Sequence, residues 1–327
     1  MDTLIPTPLL LLFSTLASAQ QPQPVATFSI VACDPDAGEW GVAVASRYFS
    51  VGAVVPWAEA GVGAVATQAN VNVGYGSRGL DLLRQGLSAR QVVETLLAED
   101  AFGGTDTRQL AVADHNCGVA AYTGPKANRW AGDRQGKHWS AQGNILTGPE
   151  VVEAMGRAFE ATTGDLAEKM YAALKAGDDA GGDSRGRQSA SLLVVRKLGG
   201  RNINNDRPVF VNVDDHPRPM VELRRLLDLN QSLLYSQRSF QLSNAGRHKE
   251  ALAAARFAAR YRKDEPDLHL LLGFLEYFAG NKDTAVAELL EAKKALPEFR
   301  KRFESMATRP GYRTILEDAA FLRRILE

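Results

Sequence analysis

Thr27-Phe28-Ser29-Ile30-Val31-Ala32-Cys33, followed by Asp34-Pro35-Asp36-Ala37-Gly38 and then Trp40-Gly41-Val42-Ala43-Val44-Ala45-Ser46, decides the fold class of this chain. The flanking pieces are rich in β-formers, and the middle piece is turn chemistry, with proline presetting φ and glycine free to turn left-handed. Two apolar runs joined by so short a turn must run antiparallel, because a parallel connection needs a crossover of a dozen or more residues. Residues 62–69 read as a third strand.

Helical spacing follows. Leu80, Leu83 and Leu87 form one apolar stripe, and Ser88 with Gln91 makes a capping box in which Leu87 can staple to Val92. Val92, Val93, Leu96 and Leu97 make the buried face of that second helix. Strand signals return at 109–114, 117–123 and 139–145. Gly148-Pro149 puts proline at the first position of a helix carrying Val152, Met155 and Phe159, and a companion with Leu166, Met170 and Leu174 is expected to stop at Gly177. Residues 189–197 and 208–213 read as a last strand pair. This order predicts an α+β domain of two packed sheets with helices outside, the alternative being one sheet with helices on one face.

Beyond about Leu229, glycine and β-formers thin out. Gly246-Arg247-His248-Lys249-Glu250-Ala251-Leu252 recurs as Gly280-Asn281-Lys282-Asp283-Thr284-Ala285-Val286, an offset of 34 residues. That is the tetratricopeptide period. Ala258 and Ala292 keep the register, Pro297 ends the second unit, and helices near 233–242 and 315–325 are expected to cap the pair. An all-α, tetratricopeptide-like helical region over 230–327 follows from this pattern.

The N-terminus suggests export. An apolar run, Leu9-Leu10-Leu11-Leu12-Phe13, precedes Ala17-Ser18-Ala19, a small-x-small cleavage site, although Asp2 stands where a positive charge is usual. A membrane anchor is the alternative, but a span needs about 20 apolar residues. The expected division is a signal peptide at 1–19, a Gln/Pro linker at 20–26, a first domain at 27–229 and the tail, giving a periplasmic or extracellular protein with no membrane span after cleavage. The 38 basic and 38 acidic side chains of the 327 residues cancel, so nothing directs the chain to nucleic acid. Cys33 and Cys117 can pair in an oxidising compartment or stay as buried thiols, and the second reading is preferred on sequence.

The blocks Thr27-Phe28-Ser29-Ile30-Val31-Ala32, Val51-Gly52-Ala53-Val54-Val55-Pro56-Trp57, Gln142-Gly143-Asn144 and Gly181-Gly182-Asp183 through Ser191 resemble, in order, an uncharacterised bacterial domain family of the N-terminal-nucleophile (Ntn) hydrolase superfamily. The resemblance implies a four-layer αββα sandwich and a homo-oligomer. It also implies an amide-bond hydrolase acting on a small or peptide-like substrate, with Thr27 as nucleophile once its α-amine is freed. A hydroxyl is a weak nucleophile without a base, and an α-amine, with its pKa near 8, can be that base. Ser29 shares a strand face with Thr27 and competes for the role. Cleavage after Ala19 leaves seven residues before Thr27, so exposing it needs a further cut.

Other residues follow from chemistry. Asp183-Ser184-Arg185-Gly186-Arg187-Gln188-Ser189 can gather a carboxylate, two guanidinium forks and backbone amides around an anionic substrate, or can simply hold an Asp183–Arg ion pair in a turn. Arg47, ending the second strand, can orient substrate or tune the amine, or lie on the surface. Gln142 and Asn144 offer side-chain amides to an oxyanion, or make a turn. Asp214-Asp215-His216-Pro217 reads as a turn capping a helix at 218–227, and His115, His138, His248 and His269 have no partner at ligand spacing. No phosphate loop, dinucleotide fingerprint or Gly-x-Ser-x-Gly elbow occurs, so neither cofactor nor metal is expected. A second functional class stays open, an inactive scaffold that binds a protein partner through its repeats.

Overall fold

The computed structural model describes residues 27–309 and 311–327, and the expected leader and linker at 1–26 lie outside the described residues. Strands β1 (Thr27–Asp34) and β2 (Glu39–Ser46) form the expected hairpin, with Thr27 opposite Ser46 and Cys33 opposite Trp40. They are the centre of a six-stranded antiparallel sheet with β7 (Gly132–Gly136), β8 (Trp139–Asn144), β9 (Ser189–Val195) and β10 (Val209–Val213), ordered β10-β9-β2-β1-β8-β7. A second antiparallel sheet orders β3 (Pro56–Glu59), β4 (Gly63–Ala69), β5 (Arg108–Ala113) and β6 (Val119–Thr123) in sequence.

The strands' two-residue alternation sorts their side chains between faces. Val31, Cys33, Trp40, Val42 and Val44 meet Ala64, Ala66, Ala111 and Ala113 between the sheets. The outer face of the larger sheet, Phe28, Ile30, Ala43 and Leu192, packs on Met155, Phe159, Met170 and Leu174 of α3 (Glu150–Ala161) and α4 (Leu166–Asp179). The outer face of the smaller sheet, Val65, Leu110 and Val112, packs on Leu80, Leu83, Val92 and Leu96 of α1 (Gly74–Arg84) and α2 (Ala89–Ala98). The expected capping box at Ser88 and Gln91 forms.

Helix α5 (Pro219–Asn244) leads into a C-terminal helical region of α6 (His248–Tyr261), α7 (Pro266–Phe278), α8 (Lys282–Ala295), α9 (Phe299–Ala307) and α10 (Ala319–Leu326). Helices α6 and α8 each have 14 residues. The glycines before them, Gly246 and Gly280, both have positive φ. Ala258 and Ala292 are both fully buried in the tail's own core.

Several elements differ from expectation, each for a local reason. The 218–227 and 233–242 segments are one helix, because nothing between them breaks the ladder. Its Arg218 N-cap has no side-chain cap, and the 214–217 turn instead accepts the Arg218 amide at His216 Nδ1, 3.0 Å away. Helix α1 ends at Arg84, so Leu87 packs from the following turn. Pro149 is the N-cap of α3, one position earlier than expected. Helix α4 runs through Gly177 to Asp179, and a Cβ at Gly177 would stand 2.8 Å from Met155 Cγ, so that glycine serves close packing and not termination. Cys33 and Cys117 form a disulfide across Cα atoms 5.5 Å apart, which corrects the preference for free thiols. Among the described residues, no helix is long and apolar enough to cross a membrane.

Candidate functional site

The space between the sheets is apolar at the disulfide end and polar at the other. Thr27, Ser29, Ser46, Gln68, Gln109, Ser140, Gln142 and Asn144 are all buried there, at inward positions of β1, β2, β4, β5 and β8. The hydroxyl of Ser29 donates to Gln68 Oε1 and accepts from Gln142 Nε2, both at 2.6 Å. Gln68 Nε2 donates to Gln109 Oε1 at 2.8 Å and approaches the Thr27 carbonyl at 3.5 Å. Asn144 Nδ2 also donates to Gln109 Oε1, at 3.1 Å, whereas its own Oδ1 has no partner among the described residues. Buried polar groups are nearly always satisfied, so each amide in this chain is fixed by the partner it meets.

Thr27 sits at the rim of this network. Its Oγ1 donates to Ser46 Oγ at 3.2 Å, and its register partners are Ser46 on one side and Asn144 on the other. Strands β2 and β8 therefore hold the residue from both sides.

The glycine loop closes over the same strand ends. Asp183, whose side chain is 1% exposed, accepts the Arg47 amide at 2.8 Å, the Arg185 amide at 2.9 Å and the Arg185 guanidinium at 3.0 and 3.2 Å. That is the ion pair within a turn. Arg47 points its guanidinium back to the Arg185 carbonyl at 3.0 Å, and Arg187 pairs with Asp178 at 2.5 Å. Gln188 donates to Asp215 at 3.2 Å, and Ser189 Oγ ties the Tyr48 carbonyl to the Val51 amide. Just beyond Ser46, Arg47, Arg187, Gln188, Asp215 and His216 line an open basin of about 440 Å³.

The structure thus gathers Thr27, Ser29, Gln142 and Asn144 in one network and brings Asp183 and Arg47 to its rim. Arg185, Arg187, Gln188 and Ser189 mostly hold the loop. Gln68, Gln109 and Ser46 were not singled out in the sequence. The signal for the first two was a lone amide on an alternation of inward alanines, Ala64-Ala66-Gln68 and Gln109-Ala111-Ala113.

Residues 27–223 match the model of a family of unknown function, DUF1028. The chain belongs to this family. Among solved structures, the DUF1028 protein SPO2555 from Silicibacter pomeroyi is similar at 31% identity and a TM-score of 0.57, over 62% of this chain and 85% of that one. No curated protein matches. The DUF1028 match takes in the whole polar network, the glycine loop and the first turn of α5, and it ends before the helical tail.

Proposed function

We propose that this DUF1028 chain is an exported Ntn-type hydrolase of amide bonds in a small or peptide-like substrate, built on an Ntn-like αββα sandwich with a tetratricopeptide-like tail. The observation that carries the reading is the position of Thr27, first residue of a central strand, at the polar end of the space between two sheets. A cut before it would put a new α-amine on the residue that holds the hydroxyl.

In that form the amine takes the Oγ1 proton as the oxygen attacks the carbonyl carbon. The tetrahedral oxyanion then collapses, the amide nitrogen leaves with that proton, and an ester on Thr27 remains. Water, deprotonated by the same amine, releases the acid. We assign Asn144 as the side-chain amide that stabilises the oxyanion by exchanging its bond to Gln109. The Cys33–Cys117 disulfide supports an oxidising compartment, and so export.

N-terminal sequencing of the mature protein tests this directly. Thr27 should come first, and Thr27→Ala should lose hydrolysis of a peptide p-nitroanilide panel by about a thousandfold or more. Full activity in a chain that begins at Gln20 would sink the idea.

The complete burial of Thr27 in the uncut chain favours a second reading, an inactive scaffold that works through its repeats. Under it, Thr27→Ala has no effect, and removing residues 245–327 abolishes capture of the partner protein.

A further inference from the structure

A cleft of about 940 Å³ opens between the β9–β10 loop and α5, with Glu39, Asp165, Arg196, Gln231 and Tyr235 among its lining residues. It lies far from Thr27. Glu39 begins β2 and Ser46 ends it, seven residues away, so the two sites are separated by roughly 23 Å of strand. Gln231 and Tyr235 lie beyond residue 223, where the family match ends. One wall of this cleft is therefore supplied by the tail.

We propose that this cleft binds the free α-ammonium end of an amino acid or short peptide.

Two carboxylates and an amide carbonyl meet on its inner wall. Glu39, with its side chain 8% exposed, pairs with Arg196 at 2.7 Å. Asp165 caps α4 through the Glu168 amide and accepts Gln231 Nε2 at 3.0 Å and the Tyr235 hydroxyl at 3.4 Å. Gln231 itself is 1% exposed, and its Oε1 has no partner among the described residues. Two carboxylates thus face one guanidinium, beside a buried carbonyl left unsatisfied at real cost. Burial raises the proton affinity of both acids, Glu39 to about 7 against the opposing pull of Arg196. A primary ammonium brings three N–H donors and no acceptor, the complement this wall lacks. Among the described residues, no three His, Cys, Asp or Glu side chains converge to hold a metal instead.

The mouth suits the rest of such a ligand. Leu198 and Ile203 line it at 65% and 95% exposure, an apolar surface with little to cover it. Arg201 and Arg238 line it as well, both exposed and able to meet a carboxylate. An ammonium inside and an acid outside describe a zwitterion. The inference is independent of whether Thr27 is a nucleophile.

Calorimetry on the full chain can test it with leucyl-leucine, its N-acetyl derivative and leucyl-leucinamide. Leucyl-leucine should bind saturably at one site, and acetylation should weaken it by about tenfold or more. Gln231→Leu should weaken leucyl-leucine similarly. Arg238→Glu, an exposed change that leaves the fold alone, should weaken leucyl-leucine but not leucyl-leucinamide. Affinity should rise from about pH 6 to about pH 7 as Glu39 ionises among Arg196, Asp165, Asp34 and Tyr235, the charged and titratable groups that face it, and fall above about pH 8 as the ligand's α-amine loses its proton. Equal affinity for the acetylated dipeptide, or undiminished affinity in both variants, overturns the proposal.

Discussion

Ser29 has both ends of its hydroxyl engaged, so Thr27, at the end of its strand and at the rim of the network, and not Ser29, is where a cut chain would gain a reactive oxygen. Ser29→Ala strands Gln68 Oε1 and Gln142 Nε2 together. We expect it to lower stability by about 2–4 kcal/mol, read as a shifted urea midpoint at unchanged slope. A loss under about 0.5 kcal/mol would mean that water replaces the hydroxyl in the network. Glu39 gives a pH signature. Burial raises its carboxyl from 4.5 to about 7 against the opposing pull of Arg196. The folded chain therefore holds this proton more tightly than the unfolded one. The stabilisation is complete below the unfolded value and is lost as pH rises through about 7. Wild type should lose up to about 3 kcal/mol relative to Glu39→Gln across that window, followed by denaturant melts at successive pH values. At this scale the sequence shows which residues face inward, since alternation does so, but not which distant partner each one meets. Gln68 and Gln109 are separated by 41 residues and bonded to one another. Asp183 reads equally as part of an anionic-substrate site and as the acid of an ion pair in a turn, because chemistry alone does not choose between them.

Helices and strands with strong periodicity were readable, and the weak ones were not. The pieces missed are β3, which opens on Pro56, and β7, Gly-Asp-Arg-Gln-Gly, whose polar side chains give no apolar alternation. Strand β3 lies at a sheet edge, where a proline's missing N–H is tolerated. Strand β7 exists because β8 supplies its ladder. On sequence alone Gly177 reads as a stop signal, because glycine so often ends helices. Its real constraint is spatial, with Met155 and Phe28 against the helix backbone. Alanine normally stabilises a helix interior by about 1 kcal/mol over glycine. Here Gly177→Ala should instead cost about 1–3 kcal/mol by overpacking, visible as a lower thermal midpoint. A stabilised variant would show that α4 can shift outward.

Across the whole molecule, the Cys33–Cys117 bond ties β1 to the turn before β6 and so joins the two sheets over a separation of 84 residues. Closing so long a loop constrains the unfolded chain by about 4–5 kcal/mol. Cys33→Ser and Cys117→Ser should each lose that much, and the double variant no more than either one. Equal stability of all three with wild type would show that the bond does not form in solution. Helix α5 connects the molecule in another way. Met220, Leu223 and Leu227 seat its first half on the larger sheet, and Tyr235, Phe240 and Leu242 seat its second half on the tail. With no loop between those halves, the bearing of the tail is set by residue count alone. A single residue inserted near Asn230 would swing everything downstream by about 100°, carrying Gln231 away from Asp165, whereas seven would nearly restore the phase about 10 Å further out.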